Sequence, residues 1–336
     1  MICAEQEEIM QKSDGMNYAP QGKPAPVVKE GEFSIAAIAL DHGHIYGMCN
    51  GLTEAGANLK WVYDSDPVKV KQFVDAFPGV KVASSEEEVL SDPEVKLVAG
   101  AAVTSKRCDL GMRVMDAGKD YFTDKAPLTT LEQLERAKQK VKTSGKKYMV
   151  YYSERLHVES AIYAGYMIDD GAIGKVVQVI GLGPHRLGAP GRPGWFFEKD
   201  KYGGILCDIG SHQIEQYLFY GGVKDGKVVR SQIGNYNHPD YPELDDFGDC
   251  NIVGDNGTTN YFRVDWFTPD GLGTSGETEE RLSWEPKVIS SFESILILVH
   301  PRIVIMYSWR TAKVSIIMRY PARWDILTLD SLSWIA

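Results

Sequence analysis

The chain has 336 residues, 43% hydrophobic and 24% charged, with a formal net charge of −10; that length exceeds one ordinary core, so two domains of a soluble globular protein are expected. The acidic balance and the lack of a Lys/Arg cluster exclude nucleic acid as an expected partner. The longest apolar run, Ile295 to Trp309, is broken by His300, Pro301 and Arg302, so no membrane span is expected.

Residues 1–32 are polar, with Pro20, Pro24 and Pro26, and read as a disordered leader. Phe33 to Leu40 suits a buried parallel strand, Asp41-His42-Gly43-His44 a turn, and Ile45 to Ala55 a helix. A second strand, Leu59 to Tyr63, ends at Asp64. An acid about twenty residues past the turn of such a βαβ unit can accept hydrogen bonds from an adenosine ribose and repel a 2′-phosphate, which favours NAD over NADP. The glycine fingerprint is poor: Ala37, Ala39 and His42 stand where G-x-G-x-x-G would fall, and a flavodoxin-like unit without nucleotide stays open. The alternation continues with helices over Lys69 to Ala76, Ser85 to Leu90, Lys106 to Ala117 and Thr130 to Ser144. The strands between and after them are Val80 to Val82, Val95 to Val103, Asp120 to Thr123 and Lys147 to Tyr152. This predicts an α/β protein whose first domain, residues 33–153, is a doubly wound parallel sheet with ligands at the strand carboxyl ends. Lys125 lies at such an end, as a group that polarises a substrate oxygen or holds a ribose, or as a solvated loop lysine.

After Arg155 the rhythm changes. A helix over Val158 to Ile168 and a strand over Val176 to Leu182 precede a long loop, His185 to Tyr202, whose Arg186, Arg192, Trp195 and Phe196 suit a pocket wall. Gly203 and Gly204 then open a helix carrying Asp208 and His212 one turn apart on one face. An acid beside an imidazole suits a general base, or a buried pair that only ties the helix down. Strands over Val228 to Tyr236, Asp249 to Val253 and Thr259 to Phe267 predict an α+β second domain, residues 154–275, with an open, mostly antiparallel sheet. Five scattered cysteines without C-x-x-C spacing point to reduced thiols in a cytoplasm. The histidines, among them His42, His44, His157 and His185, lack H-E-x-x-H spacing, so no metal is expected.

From about Phe33 to Gly273 the chain resembles the Gfo/Idh/MocA family of NAD(P)-dependent oxidoreductases. The resemblance rests on the βαβ start with Asp64, on Ala117-Gly118-Lys119 leading to Asp124-Lys125-Ala126-Pro127, and on Gly203-Gly204 through Asp208 to His212, similar to the family's G-G-x-x-x-D-x-G-x-H. It implies hydride transfer between a nicotinamide cofactor and the hydroxyl or carbonyl carbon of a sugar, cyclitol or related polyol; the alternative is a catalytically silent binding or regulatory protein on the same fold. It further implies Lys125, Asp208 and His212 as the catalytic set, with His212 taking the hydroxyl proton, Asp208 orienting it and Lys125 stabilising the alkoxide. The implied cofactor face is Ala39, Leu40, Asp41, His42, Gly43, His44, Asp64, Val103, Thr104 and Lys125; substrate would meet Arg155, Arg186, Trp195 and His212. Pairing of the second-domain sheet into a homo-oligomer is expected on the same ground. Three departures stand out: Asp124-Lys125-Ala126-Pro127 for E-K-P, the replaced phosphate-loop glycines, and Val103-Thr104-Ser105-Lys106-Arg107 for P-N-x-x-H.

Residues 276–336 read as an atypical tail. From Glu277 to Ala336 there is no glycine, asparagine or glutamine, while four of the seven tryptophans fall there. Neither a strand nor a helix period is sustained, so the tail reads as the product of a reading-frame shift near Ser275, which would leave the second sheet incomplete, or as a genuine lineage-specific extension.

Overall fold

Alternate residues of the first apolar run face opposite sides of a sheet. In the computed structural model, which describes residues 25–269 and the backbone of 294–300, 303–308, 313–320 and 323–330, that run is strand β1 (Ser34–Ile38). Ile35 and Ala37 pack with Ile45, Met48 and Phe73 on one face; Ala36 and Ile38 pack with Leu110, Val114 and Tyr121 on the other. Both faces are covered because helices return on each side: α1 (His44–Glu54), α2 (Pro67–Ala76), α3 (Glu86–Ser91), α4 (Arg107–Asp116) and α5 (Leu131–Ser144). Side-chain caps start three of them, Asp66 on Val68 N–H, Ser85 on Glu88 N–H and Thr130 on Gln133 N–H. The strands β2 (Asn58–Tyr63), β3 (Lys81–Val82), β4 (Val95–Gly100), β5 (Asp120–Asp124) and β6 (Tyr148–Tyr151) complete a parallel sheet of order β3-β2-β1-β4-β5-β6. Its order reverses between β1 and β4, and the carboxyl ends of those strands frame the ligand crevice of such folds.

The described residues divide into two units: the chain up to Tyr151 together with Pro193–Gly203, and Tyr152–Arg192 together with the chain from Gly204. Part of the expected loop, Pro193–Gly203, therefore folds with the first unit as a 3-10 turn and a short helix, α8 (Lys199–Tyr202), after α6, α7 and β7 of the second unit, described next. Of the expected leader, residues 1–24 lie outside the described residues; Val27 N–H bonds Ala55 O at 2.9 Å.

In the second unit, α6 (Ser153–Leu156) and α7 (Glu159–Asp169) lead to β7 (Gln178–Arg186). This strand is longer than its sequence pattern predicts, because Pro184 and Arg186 still find partners on the parallel β10 (Thr259–Thr268). The helix after Gly204 is labelled α9 (Ile205–Asp208) and α10 (Gly210–Gly221); Ile209 between them keeps helical φ −81°, ψ −39°. It packs close on β7 at Gly181, where a Cβ would lie 2.0 Å from Gln213 Oε1 and push that side chain aside. With β8 (Gly226–Gly234) and β9 (Phe247–Gly254), β7 and β10 form a mixed, mostly antiparallel sheet, β7-β10-β9-β8.

The expectation of an incomplete sheet beyond residue 276 is corrected over 294–330. The backbone there runs as β11 (Ser294–His300), β12 (Ile303–Ser308), β13 (Lys313–Tyr320) and β14 (Arg323–Asp330), antiparallel to one another, with β11 antiparallel to β7. Runs such as Ile295-Leu296-Ile297-Leu298-Val299 carry strand propensity without alternation, so a period-2 search passes over them.

Candidate active site

In the first unit, β1 extends through Ile38, so Ala37 is strand and the phosphate-loop position falls to Ala39. Ala39 has φ +61°, alone among the described non-glycine residues. This is the left-handed backbone for which a first glycine is ordinarily used. Spacing from Ala39 puts Asp41 and His44 at the second and third positions. Asp41 Oδ1 pairs with Lys69 Nζ at 2.6 Å and its Oδ2 accepts from Val103 N–H at 3.1 Å, which ties the loop to the end of β4. Burial opposes the charge on Lys69, but Asp41, with Asp64 and Asp66, holds its ammonium above the usual range. Asp64, at the end of β2, accepts from Leu40 N–H at 2.6 Å and Asp66 N–H at 2.8 Å, so it is fixed by the loop that it faces.

Asp124 is fully buried at the end of β5. Its Oδ1 lies 2.8 Å from His44 Nδ1 and its Oδ2 2.9 Å from His42 Nδ1 and 3.0 Å from an Arg107 nitrogen. Burial by itself would push this carboxyl up; the facing His44, Arg107 and His42 outweigh it and hold it well below the usual carboxylate range. Arg107, only 1% exposed, also donates to Ala102 O, Lys125 O and Ala126 O, joining the end of β4 to the turn that presents Lys125. Lys125 itself is buried, its N–H bonded to Asp124 Oδ1 at 2.7 Å, and Thr104 is buried in the turn after Val103. Gly43 caps α1 without a side-chain bond. Trp195, half-buried, lies in Gly194–Phe197 of this unit against Phe196.

In the second unit, Asp208 and His212 are both buried and one helical turn apart. Glu154 Oε1 lies 3.7 Å from His212 Nε2 and 3.4 Å from His185 Nε2. Glu154 is 3% exposed, and its Oε2 accepts from Gln216 Nε2 at 3.1 Å. Tyr152 meets the His212 ring edge-on at 5.7 Å, and His185 meets Trp266 at 5.8 Å. Arg155 is committed to Glu215 of α10 and stacks over Phe219, so it anchors the helix that carries His212. Arg186 is half-buried at the end of β7. Sequence reading missed Asp124, Arg107 and Glu154 as site residues. The available signal for Arg107 was its place in the stretch that replaces P-N-x-x-H.

A doubly wound sheet of this order, joined to a unit whose open sheet carries a helix bearing Asp208 and His212, defines a two-part protein of the dinucleotide-binding class. The chain belongs to the GFO/IDH/MocA family: the family's NAD-binding Rossmann model matches residues 42–152 and its C-terminal-domain model residues 163–281. It is 28% identical over 223 residues to the NAD-dependent scyllo-inositol 2-dehydrogenase of Bacillus subtilis (strain 168), covering 65% of this chain and 62% of that protein. It is 23% identical over 173 residues to the D-xylose dehydrogenase of Paenarthrobacter nicotinovorans, covering 50% and 44%. The matched stretches thus span less than two thirds of either relative. Among solved structures, an oxidoreductase from Erwinia carotovora atroseptica SCRI1043 superposes with a TM-score of 0.79 at 40% identity over 90% of this chain and 87% of that one. Levoglucosan dehydrogenase with NADH shares the fold at TM-score 0.72 and 17% identity, over 89% and 80%. No helix among the described residues is long and apolar enough to cross a membrane.

Proposed function

We propose that the chain is an NAD-preferring dehydrogenase that oxidises a secondary hydroxyl of a sugar, cyclitol or related polyol. The observation that carries this reading is His212, buried on α10 beside the Glu154 carboxylate, in a chain of this family. The first unit fits a dinucleotide at two points: a left-handed Ala39 where the loop turns, and a carboxylate, Asp64, held by that loop at the end of β2. Asp64 would hold the adenosine ribose, the loop from Ala39 to Gly43 with the start of α1 the pyrophosphate, and Val103 and Thr104 the nicotinamide side. Bound there, the nicotinamide supplies the hydride acceptor.

The chain's own residues do the rest. His212 accepts the substrate hydroxyl proton at a ring nitrogen, and Glu154 stabilises the imidazolium so formed. Asp208, on the same helix face, supplies a second negative charge to that site, and the Lys125 ammonium offsets developing alkoxide charge. The side chains of Tyr152 and Trp266 give the imidazoles apolar neighbours, which strengthens these charge interactions. A ribose acceptor of fixed negative charge disfavours a 2′-phosphate, hence NAD over NADP. The substrate class is carried from the named relatives, which act on scyllo-inositol and D-xylose.

The test is the thermal midpoint with each cofactor. At about 100 times the dissociation constant, NAD is expected to add ~2.7 kcal/mol of stability and NADP much less. Equal shifts, or none from a cooperative transition, would refute the cofactor assignment.

A further inference from the structure

The first unit carries a buried cluster beside the loop that would hold the pyrophosphate. His42 and His44, an H-x-H pair on the loop, both turn Nδ1 toward Asp124 at the end of β5. The carboxylate gives one oxygen to each ring, at 2.9 and 2.8 Å, and one ligand atom from each of the three residues lies within 4.8 Å of the others. The rings stand edge to face, centroids 4.4 Å apart.

We propose that His42, His44 and Asp124 form a binding site for a divalent first-row metal ion of the zinc class. Two imidazoles and one carboxylate are a donor set that such ions favour over magnesium or calcium, and three protein ligands leave a fourth position open. Bonds of ~2.0–2.1 Å in tetrahedral array put ligand atoms ~3.3 Å apart; the three ligand atoms already lie within 4.8 Å of one another, so shifts of at most about 1.5 Å complete the array. Outer bonds already fix the carboxylate: Lys125 N–H on Oδ1 and Arg107 on Oδ2 hold it as ligating carboxylates are ordinarily held. Arg107 offsets the carboxylate charge, which lowers affinity without removing a donor. Tyr151, edge-on to His44 at 5.9 Å, closes one side with an aromatic ring. A bound ion would cross-link the loop to β5 over a sequence separation of 80 residues.

The experiment uses the full chain, free of any histidine tag and stripped with a chelator, titrated with Co2+ and followed by visible absorption and by metal content after gel filtration. The expected result is one equivalent of Co2+ with a tetrahedral-type band, displaced by Zn2+. In His42→Ala the band disappears while the circular dichroism melt is retained. Asp124→Asn is expected to lose it as well. His238→Ala, which breaks a His–Asp contact of 3.0 Å in the second unit, should leave it unchanged. No retained metal, or equal binding by His42→Ala, overturns the proposal. Neither outcome depends on NAD or on turnover, so it stands or falls apart from the proposed function.

Discussion

Asp64 joins loop conformation to cofactor choice, so replacing it perturbs both by amounts that follow from its bonds. In Asp64→Ala, Leu40 N–H and Asp66 N–H lose acceptors at 2.6 and 2.8 Å. Hydrogen bonds to a charged group are worth ~1.5–3 kcal/mol each when buried; here the carboxylate is half-buried, so the two together should cost ~2–3 kcal/mol. Asp64→Asn keeps one acceptor oxygen and should cost about half as much. Urea unfolding reads the stability and a fluorescence titration reads the affinity. In Asp64→Asn, NAD binding is expected to weaken about tenfold, equivalent to ~1.4 kcal/mol, with NADP binding unchanged or tighter. Stability within ~0.5 kcal/mol of wild type together with unchanged NAD affinity would refute the reasoning.

Ala39→Gly reverses a common rule. An L-residue in the left-handed region costs ~1–2 kcal/mol, against ~0.5–1 kcal/mol of extra chain entropy lost by glycine. The variant should therefore be neutral or up to ~1 kcal/mol more stable by urea midpoint, and a loss above 1 kcal/mol would contradict the assigned backbone. Glu154→Ala should lower kcat by about tenfold or more while KM for the polyol moves much less, and Glu154→Gln, which can still meet Gln216, should recover stability but not rate; equal kcat in all three proteins would remove Glu154 from the mechanism. Asp265 is buried, and desolvation raises its carboxyl above the ordinary value, although Phe267 N–H and Arg263 oppose this. The native state therefore holds this proton more tightly than the unfolded chain does, so its contribution falls as pH rises above ~4. Melting of Asp265→Asn should gain on wild type as pH rises above about 4, and a constant difference would show that the carboxyl is not shifted.

Local features were legible in the sequence: the continuous apolar run of β1 and the helical spacing of Asp208 and His212. What was hidden depends on distant chain segments. Asp124 reads as the last residue of a strand, and only the fold sets it against His44, 80 positions away. Glu154 likewise meets His212 because α6 and α10 belong to one unit. Arg107 stands near the start of an expected helix, yet it is buried and donates to the carbonyls of Ala102, Lys125 and Ala126, which only the fold brings to it. The tail misled for another reason: its strands carry apolar residues at successive positions and none of the glycines or asparagines that usually mark hairpins.

The central claim is hydride transfer with His212 as base. The direct measurement is formation of reduced nicotinamide from NAD, with cyclitols and aldoses such as scyllo-inositol and D-xylose offered in turn, by wild type and His212→Ala. The account predicts turnover of at least one such substrate by wild type and a loss of ~100-fold or more in the variant, with NAD affinity unchanged. Turnover by His212→Ala at the wild-type rate, or cofactor binding without turnover of any polyol, would contradict it.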